Sequence, residues 1–507
     1  MIHRSARSDV DIPSTTLTGH VLDRAHGDRV ALVDAATGER LTYRELADGV
    51  DAAAGALAAL GIGSGQVVAL ISHNQPRFAL GLHAALTAGA TVTPVNPVLT
   101  TGEITKQLVA ANATAVISSE AAAVKVAEAA DAAGVEHRFV LGAAPGFVPF
   151  TELTASGATA PPMTGDPGAA VALLPFSSGT TGAAKGVMLT HRNLVANVEQ
   201  NAAGWRVTPD DVFAAVLPFF HIYGFTIILN LALRHGATVV TLPRYDHDAH
   251  LRMIAEHGVT RAFLAPPMVI GLANSGGGDH DLSSLRYAVC GAAPLDVDVA
   301  SRAEAVLGCP IRQGYGMTES SPGITLVPED GFRDVPAGSV GMLLPSTEAR
   351  LVDPATGEDA TEGELWVRGP QVMAGYLDNP SATAATVVED GWLRTGDIAR
   401  VDGDIFRIVD RLKELIKYKG YQVAPAELEA LLLTHPDVLD AAVIGVPHAE
   451  GGEAPKAFVV STSLTDPDHL MAWVAERVAP YKKIRSVEFI DAIPKSPSGK
   501  ILRRLLR

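Results

Sequence analysis

Residues 175–186 bring together the residue types that bind phosphate, namely hydroxyl side chains, glycines and a lysine. Glycine lets the backbone wrap an anion, hydroxyl and amide groups donate to it, and lysine adds positive charge. The apolar run 169–174 predicts a strand just before it. The spacing differs from a Walker A loop, so the segment indicates another phosphate-binding loop, with a Ser/Gly-rich surface loop as the alternative. The residues of this predicted loop are Ser177, Ser178, Gly179, Thr180, Thr181, Gly182 and Lys185.

Three further clusters, far apart in the sequence, place a reactive side chain close to a glycine. Thr318 suits donation to a phosphate and Glu319 suits Mg²⁺, although a turn capped by threonine is the alternative. Asp397 follows a glycine, where a carboxylate can accept both hydroxyls of a ribose or form an ordinary Asx turn. Lys500 stands on a Ser-Gly turn near the end of the chain, where a lysine is commonly only solvated. The charged run 410–420 is typical of a solvated helix face or a linker.

These side chains need elements to position them, and the length of 507 residues predicts more than one domain. Short apolar runs alternate with alanine-rich segments of helical period, which predicts βα units around largely parallel sheets. From about residue 338 shorter strands with tight turns predict a β-rich subdomain, so the large N-terminal domain is expected to span 1–411 and its β-rich part 338–411. Residues 412–507 predict a small α+β C-terminal domain.

Composition narrows the classes of function. The net charge of −16, from 40 basic and 56 acidic residues, argues against nucleic acid or an anionic membrane as the main partner. Two cysteines, Cys290 and Cys309, argue against a disulfide framework and favour the reducing cytoplasm. No apolar stretch is long enough to predict a membrane span.

In order along nearly the whole chain, these segments resemble the adenylate-forming superfamily of acyl-CoA synthetases, luciferases and peptide-synthetase adenylation domains. The runs 217–223, 363–369 and 414–429 are more similar to the 4-coumarate:CoA ligases. Cys290 and Tyr421 depart from that subfamily, in which serine and phenylalanine are more usual. The motifs that carry the superfamily resemblance are 177–186, 315–319, 395–397, 410–411, 417–420 and 498–500.

The resemblance implies a reaction in two steps. A carboxylate attacks the α-phosphorus of ATP to give acyl-AMP and pyrophosphate, and the CoA thiolate then displaces AMP. ATP, Mg²⁺ and CoA are therefore the expected cofactors, with Glu319 as the metal ligand. The implied catalytic residues are Lys500, His221, Lys417, Gln422 and Thr318. Besides the phosphate loop, the implied nucleotide-binding residues are Gly291, Ala292, Ala293, Pro294, Gln313, Gly314, Tyr315, Gly316, Asp397, Arg411 and Lys413. The residues expected near CoA are Arg244, Lys419 and Gly420.

The resemblance also implies roles and a motion. Lys500 neutralises charge at the α-phosphate, and Asp397 takes the ribose. His221 stands between the acyl pocket and the CoA tunnel, although a packed structural histidine fits the sequence as well. Because Lys500 serves the first step and residues 419–420 serve the second, the C-terminal domain is expected to rotate about a hinge near 411–413.

The acid itself follows less directly from the sequence. The small residues Gly291, Ala292, Gly314 and Gly316 predict room for a flat ring, and a medium-chain fatty acid fits them as well. The resemblance to the 4-coumarate:CoA ligases is what implies an arylpropenoic acid such as 4-coumarate or cinnamate. The alternative acid is a medium-chain fatty acid. The alternative functions are an acyl-AMP ligase that loads a carrier protein and a degenerate nucleotide-binding module. The expected acyl pocket comprises His221, Tyr223, Gly291, Gly314, Gly316, Met317 and Pro322.

Overall fold

The computed structural model describes residues 1–160, 162, 165–177, 184–330, 335–418, 421–448, 452–461, 466–496 and 499–506, with the backbone alone for 421–422. It shows a mixed α/β chain with two large sheets, a β-rich sheet and a smaller C-terminal sheet. None of the described helices is long and apolar enough to cross a membrane.

The first sheet is built from βα units of the N-terminal part of the chain. Its central strands, such as Val67–Ile71, are parallel and almost wholly buried, because helices cover both faces of the sheet. Strand Lys185–Thr190 pairs antiparallel with its neighbours at one edge. The strands of this sheet are Val67–Ile71, Thr91–Val95, Ala113–Ser118, His137–Val140, Val148–Pro149, Val171–Leu173, Phe176–Ser177, Lys185–Thr190 and Gly375–Tyr376.

The second sheet repeats this plan, with a parallel centre and antiparallel edges. An early strand, Val30–Asp34, leaves the N-terminal segment to lie beside Thr238–Thr241. The strands of this sheet are Val30–Asp34, Arg40–Thr42, Val212–Ala215, Thr238–Thr241, Arg261–Leu264, Tyr287–Cys290, Ile311–Gly316, Gly323–Leu326 and Met342–Leu343.

The helices begin where the sequence supplies side-chain caps. Thr42 and Thr100 each form a capping box with a glutamate three positions later, which satisfies free amides at the helix start. The first of these helices buries an alanine-rich face, and the second buries Ile104 and Leu108. The α-helices are Leu17–Val21, Tyr43–Ala59, Pro76–Thr87, Thr101–Ala110, Ala123–Ala133, Phe150–Thr154, His191–Ala202, Leu231–Arg234, His247–His257, Pro266–Ser275, Val297–Leu307, Pro380–Thr386, Pro425–Leu433 and Pro467–Ala475.

The third sheet is antiparallel, and all its strands except His3–Arg4 lie between Glu348 and Arg411. Strand Trp392–Asp402, which the sequence did not predict, lies between Glu362–Arg368 and Ile405–Arg411 and carries Asp397. The N-terminal strand His3–Arg4 completes the opposite edge, also unexpectedly. The strands of this sheet are His3–Arg4, Glu348–Val352, Glu362–Arg368, Val387–Val388, Trp392–Asp402 and Ile405–Arg411.

The C-terminal part has its own sheet and its own hydrophobic core. Leu428 and Leu432 of helix Pro425–Leu433 pack with Leu470 and Val474 of helix Pro467–Ala475, and all four are fully buried. The strands of this sheet are Ile416–Tyr418, Tyr421–Val423, Val438–His448, Gly452–Ser461 and Ser486–Phe489.

Candidate active site

Two neighbouring parallel strands of the second sheet, Tyr287–Cys290 and Ile311–Gly316, end at the same edge. The loop 291–294 leaves the first strand, and Ala292 in it has a φ of +74°, a backbone conformation that residues other than glycine seldom adopt. The Gln313 side chain holds this loop, because its Oε1 accepts the backbone N–H of Leu295 at 3.1 Å. The structure therefore brings together the two segments expected to line the adenine slot.

The glycines of the expected acyl pocket differ in the space beside them. A Cβ at Gly291 would lie 3.0 Å from the Tyr223 ring, and one at Gly316 would lie 2.1 Å from the carbonyl oxygen of Pro322. Among the described residues, a Cβ at Gly314 would meet only one backbone oxygen, at 3.4 Å. The protein itself thus fills the space at Gly291 and Gly316, contrary to the sequence expectation, and the room is at Gly314.

Tyr223 begins a π-helical segment, Tyr223–Asn230, directly after the turn that holds His221. The Tyr223 hydroxyl donates to the carbonyl oxygen of Val289 at 3.3 Å, and the backbone N–H of Tyr223 donates to His221 Nδ1 at 3.3 Å. Burial, and to a smaller extent the charge of Lys500, lower the pKa of His221 to about 4. His221 is therefore neutral at physiological pH, with Nδ1 as an acceptor.

Glu319 is buried in the short helical turn Thr318–Ser320. Its Oε1 accepts the Tyr376 hydroxyl at 2.9 Å and the Ser177 hydroxyl at 3.2 Å. Lys185 Nζ lies 4.8 Å from the centre of the Tyr376 ring, a cation–π contact. Tyr376 thus joins the expected phosphate loop to the expected metal ligand.

Tyr376 had no signal in the sequence that distinguished it from a packed aromatic residue. Its place depends on the short strand Gly375–Tyr376, which pairs antiparallel with Lys185–Thr190 although almost 190 positions separate them, with Tyr376 opposite Val187. Sequence reasoning from motifs did not connect these two segments.

Asp397 is the centre of a second polar cluster. The Tyr315 hydroxyl donates to Asp397 Oδ2 at 2.6 Å, and Arg411 Nε lies 3.3 Å from Oδ1. Burial raises the pKa of Asp397, and the charge of Arg411 opposes that rise. The sequence-predicted residues Tyr315, Asp397 and Arg411 therefore meet at one site.

Lys500 reaches this cluster because the turn that carries it docks closely on the large domain. Gly499 has a φ of +83°, and a Cβ there would lie 2.8 Å from the Pro267 side chain. Burial, and then the charge of Arg411, lower the pKa of Lys500 to about 8, while the carboxylates of Glu414, Asp397 and Glu319 act in the opposite direction. Lys500 therefore lies in the electrostatic field of both Asp397 and Glu319.

Other expected residues lie apart from this cluster or outside the described residues. Lys417 is exposed and stands opposite Gln422 in the hairpin of the C-terminal sheet, while Lys413 and Arg244 are also exposed. The charge of Arg244 contributes to lowering the pKa of His73, so Arg244 lies near that residue. The sequence-predicted residues outside the described ranges are Ser178, Gly179, Thr180, Thr181, Gly182, Lys419 and Gly420.

The site offers few side chains that could coordinate a metal ion. Among the described residues no group of three or more His, Cys, Asp or Glu side chains could hold one. Mg²⁺ that travels with a nucleotide needs less, since one or two carboxylates, substrate phosphates and water complete its shell. Glu319, whose Oε1 is already fixed by Ser177 and Tyr376, fits that requirement.

Comparisons with known proteins agree with this site. Residues 21–377 match the family model of AMP-binding enzymes, and residues 427–500 match the model of the AMP-binding enzyme C-terminal domain. The chain is 42% identical over 530 residues to 4-coumarate–CoA ligase 5 of Oryza sativa subsp. japonica, covering 100% of this chain and 97% of that protein. It is 40% identical over 513 residues to peroxisomal OPC-8:0-CoA ligase 1 of Arabidopsis thaliana, covering 97% and 92%.

Solved structures extend the similarity to the fold. ATP-bound MatB from Rhodopseudomonas palustris has a TM-score of 0.87 at 30% identity, with 97% of this chain and 98% of that chain covered. The anthranilate CoA ligase AuaEII in complex with anthranoyl-AMP has a TM-score of 0.90 at 25% identity, with 98% and 97% covered. The large N-terminal α/β domain followed by a smaller C-terminal domain is shared with both.

Proposed function

We propose that this chain, which belongs to the family of AMP-binding enzymes and is an AMP-forming acid:CoA ligase, activates an arylpropenoic acid such as 4-coumarate or cinnamate. The observation that carries the choice of acid is the similarity, at about 40% identity along the whole chain, to several 4-coumarate–CoA ligases. The room beside Gly314 supports a flat aryl group there.

For the first step, the chain's own residues account for the charge that gathers on the α-phosphate. Lys500 carries the positive charge, and its docked turn holds it in the field of Asp397 and Glu319. Asp397 accepts the ribose hydroxyls, with Arg411 and Tyr315 keeping its carboxylate in place. Thr318 donates to the same phosphate from the start of its helical turn.

The nucleotide arrives with a magnesium ion in this proposal, and Glu319 is the residue that would hold it. The ion supplies positive charge to the phosphates when it is bound. The Tyr376 and Ser177 hydroxyls fix the Glu319 carboxylate, and Lys185 with the rest of the 177–185 loop holds the β- and γ-phosphates.

For the second step, we propose that the C-terminal domain, residues 412–507, turns about a hinge near 411–413. In the structure the C-terminal domain places the turn of Lys500 against the large domain and leaves Lys417 exposed, an arrangement that suits adenylation. Rotation would bring Lys417, Gln422 and the 419–420 segment to the cleft for thioester formation, with His221 at the passage and Arg244 near the CoA phosphates.

A second class of acid is supported by a specific finding. A relative at 40% identity is a peroxisomal OPC-8:0-CoA ligase, which extends the similarity beyond the 4-coumarate–CoA ligases. An aliphatic carboxylate of medium length is therefore the alternative substrate, and the soluble partners in either case are the acid, ATP and CoA. We propose the cytoplasm as the location.

The test is pyrophosphate release measured with 4-coumarate, cinnamate, benzoate, octanoate and acetate, each with and without CoA. We expect the highest kcat/KM with 4-coumarate or cinnamate and acyl-CoA as product only when CoA is present. A preference for octanoate over every aryl acid would show that the proposed substrate is wrong while adenylation stands. Acyl-AMP formation without transfer to CoA would favour a carrier protein as acceptor instead.

A further inference from the structure

Glu364 is a buried acidic residue that has no part in the proposed binding of ATP, the acid or CoA. It lies on strand Glu362–Arg368, whose neighbour Trp392–Asp402 carries Asp397. Its side chain is only 4% exposed. A buried carboxylate is costly unless donors surround it, so its partners reveal what the protein gains from it.

Both oxygens of the Glu364 carboxylate are engaged. Oε2 accepts from Trp366 Nε1 at 2.9 Å and from Arg394 at 2.9 and 3.2 Å, which neutralises the charge. Oε1 accepts the backbone N–H of Gly396 at 3.2 Å. Gly396 has a φ of +72° and immediately precedes Asp397. The Glu364 carboxylate therefore fixes the backbone of Gly396, on which the orientation of the Asp397 side chain depends.

The strand pairing shows why this fastening is needed. Glu364 pairs with Ile398 and Trp366 pairs with Arg394, so three residues, 395–397, stand opposite one, and the register shifts there. Bulges of this kind re-aim side chains and are enriched next to active sites. Without the Gly396 hydrogen bond, the extra residues lose one of the contacts that hold the bulge in a single conformation.

We propose that Glu364 is a positioning residue for the ribose of ATP: through the Gly396 N–H it holds the bulge that aims Asp397 at the ribose hydroxyls. This inference rests on the proposed function, because it takes Asp397 as the group that receives the ribose. It adds a residue that touches neither substrate nor reacting atoms but sets the geometry of one that does.

Glutamine is the informative substitution. It has nearly the same shape, but it carries one acceptor oxygen and one donor amide. At position 364 both oxygens of the wild-type carboxylate accept hydrogen bonds, so glutamine can serve only one side. Arg394 and Trp366 claim the single oxygen, so the Gly396 N–H faces another donor. Glu364→Gln is therefore expected to release the bulge while the sheet still forms.

The readout is discrimination between ATP and 3′-deoxyATP in acid-dependent ATP–pyrophosphate exchange. A hydrogen bond to a charged group predicts that the wild type prefers ATP by about tenfold or more in kcat/KM. Glu364→Gln should reduce this preference at least about threefold and raise KM for ATP more than KM for the acid. Calorimetric binding of AMP and of 3′-deoxyAMP, which needs no acid, should show the same loss of preference.

Glu348→Gln is the matched control. Glu348 is an acidic residue of the same sheet that accepts from Arg368 at 2.8 Å and from Arg4 at 2.9 Å, away from the bulge. This control should keep the preference of the wild type for ATP. If Glu364→Gln does not fold, Glu364→Asp is used, because it keeps the charge for Arg394 but withdraws from Gly396, and the same loss is expected.

The outcomes are separable. A folded Glu364 variant with the wild-type preference, or an equal loss in Glu348→Gln, overturns the positioning role. A wild type that does not discriminate the two nucleotides overturns it as well. A wild type with no acid-dependent exchange refutes the proposed function, and the AMP calorimetry then decides the role of Glu364 by itself.

Discussion

The charge of Lys500 is expected to set the alkaline limit of the adenylation step. Burial and the nearby charge of Arg411 lower the pKa of Lys500 to about 8 in the free enzyme. The stabilising charge is therefore present below about pH 8 and is lost as the pH rises through that value. At one pH unit above the pKa only about a tenth of the enzyme keeps the proton, so kcat/KM for ATP should fall about tenfold.

The loss of adenylation rate at high pH cannot exceed the contribution of the Lys500 charge. Removing one electrostatic stabiliser of a transition state commonly costs about 10²–10³-fold in rate. Lys500→Ala should therefore adenylate at least about a hundredfold more slowly, with no alkaline limb. Lys500→Arg keeps its charge at every accessible pH, so its alkaline limb should disappear even though its rate is lower.

The assay is ATP–pyrophosphate exchange from about pH 6 to pH 10, analysed as kcat/KM for ATP because that quantity reports pKa values of the free enzyme. Arg411→Gln removes a charge that lowers the pKa of Lys500, so its alkaline limb should move to higher pH. Thioester formation from supplied acyl-AMP is the internal control and should be much less affected by Lys500→Ala. An unchanged alkaline limb in Lys500→Arg, or equal losses in both half-reactions of Lys500→Ala, would refute the reasoning.

Three further outcomes are expected. Tyr376→Phe keeps the ring but loses the hydroxyl that donates to Glu319, so calorimetry should show about tenfold weaker binding of MgATP, whereas the control Tyr43→Phe, whose hydroxyl donates to Ala237, should bind normally. Gly314→Val should cut kcat/KM for aryl acids without unfolding the protein, because there is space for its Cβ, whereas Gly316→Ala should lower the melting temperature because its Cβ meets a carbonyl oxygen at 2.1 Å. Gly420→Leu, predicted from the family resemblance alone, should block CoA and let acyl-AMP accumulate; thioester formation at the normal rate would contradict it.

Much of the fold could be predicted because local pattern and final structure agree in the parallel sheets. The strand Val30–Asp34 contains one of the short apolar runs that predict strands, because a run of apolar side chains is stable in a sheet that is covered on both faces. The strand Trp392–Asp402 was missed because Gly396 and Asp397 read as a turn, and the alternation of apolar and polar residues is interrupted there. Pairing on both edges, which is a tertiary effect, overrides that local signal.

The candidate site divides in the same way. Tyr315, Asp397 and Arg411 were predicted from motifs, and the structure brings them together. Tyr376 and Glu364 were not predicted, because each acts through a partner that only strand pairing brings near. The sequence also could not show that the space beside Gly314 is open while the space beside Gly291 is filled by Tyr223. A glycine looks the same in a sequence in both situations.

The placement of the first strands has a consequence for how the chain is made on the ribosome. Val30 lies beside Thr238, 208 residues later, and Arg4 lies beside Glu348, 344 residues later. At the usual pace of synthesis the apolar strand at Val30 waits roughly 10–40 s for its neighbour. During that time only the nearby strand Arg40–Thr42 can pair with it, so its other edge stays open, and open edges of this kind are prone to aggregation. The second sheet is therefore complete only after strand Thr238–Thr241 has been made and lies beside Val30–Asp34.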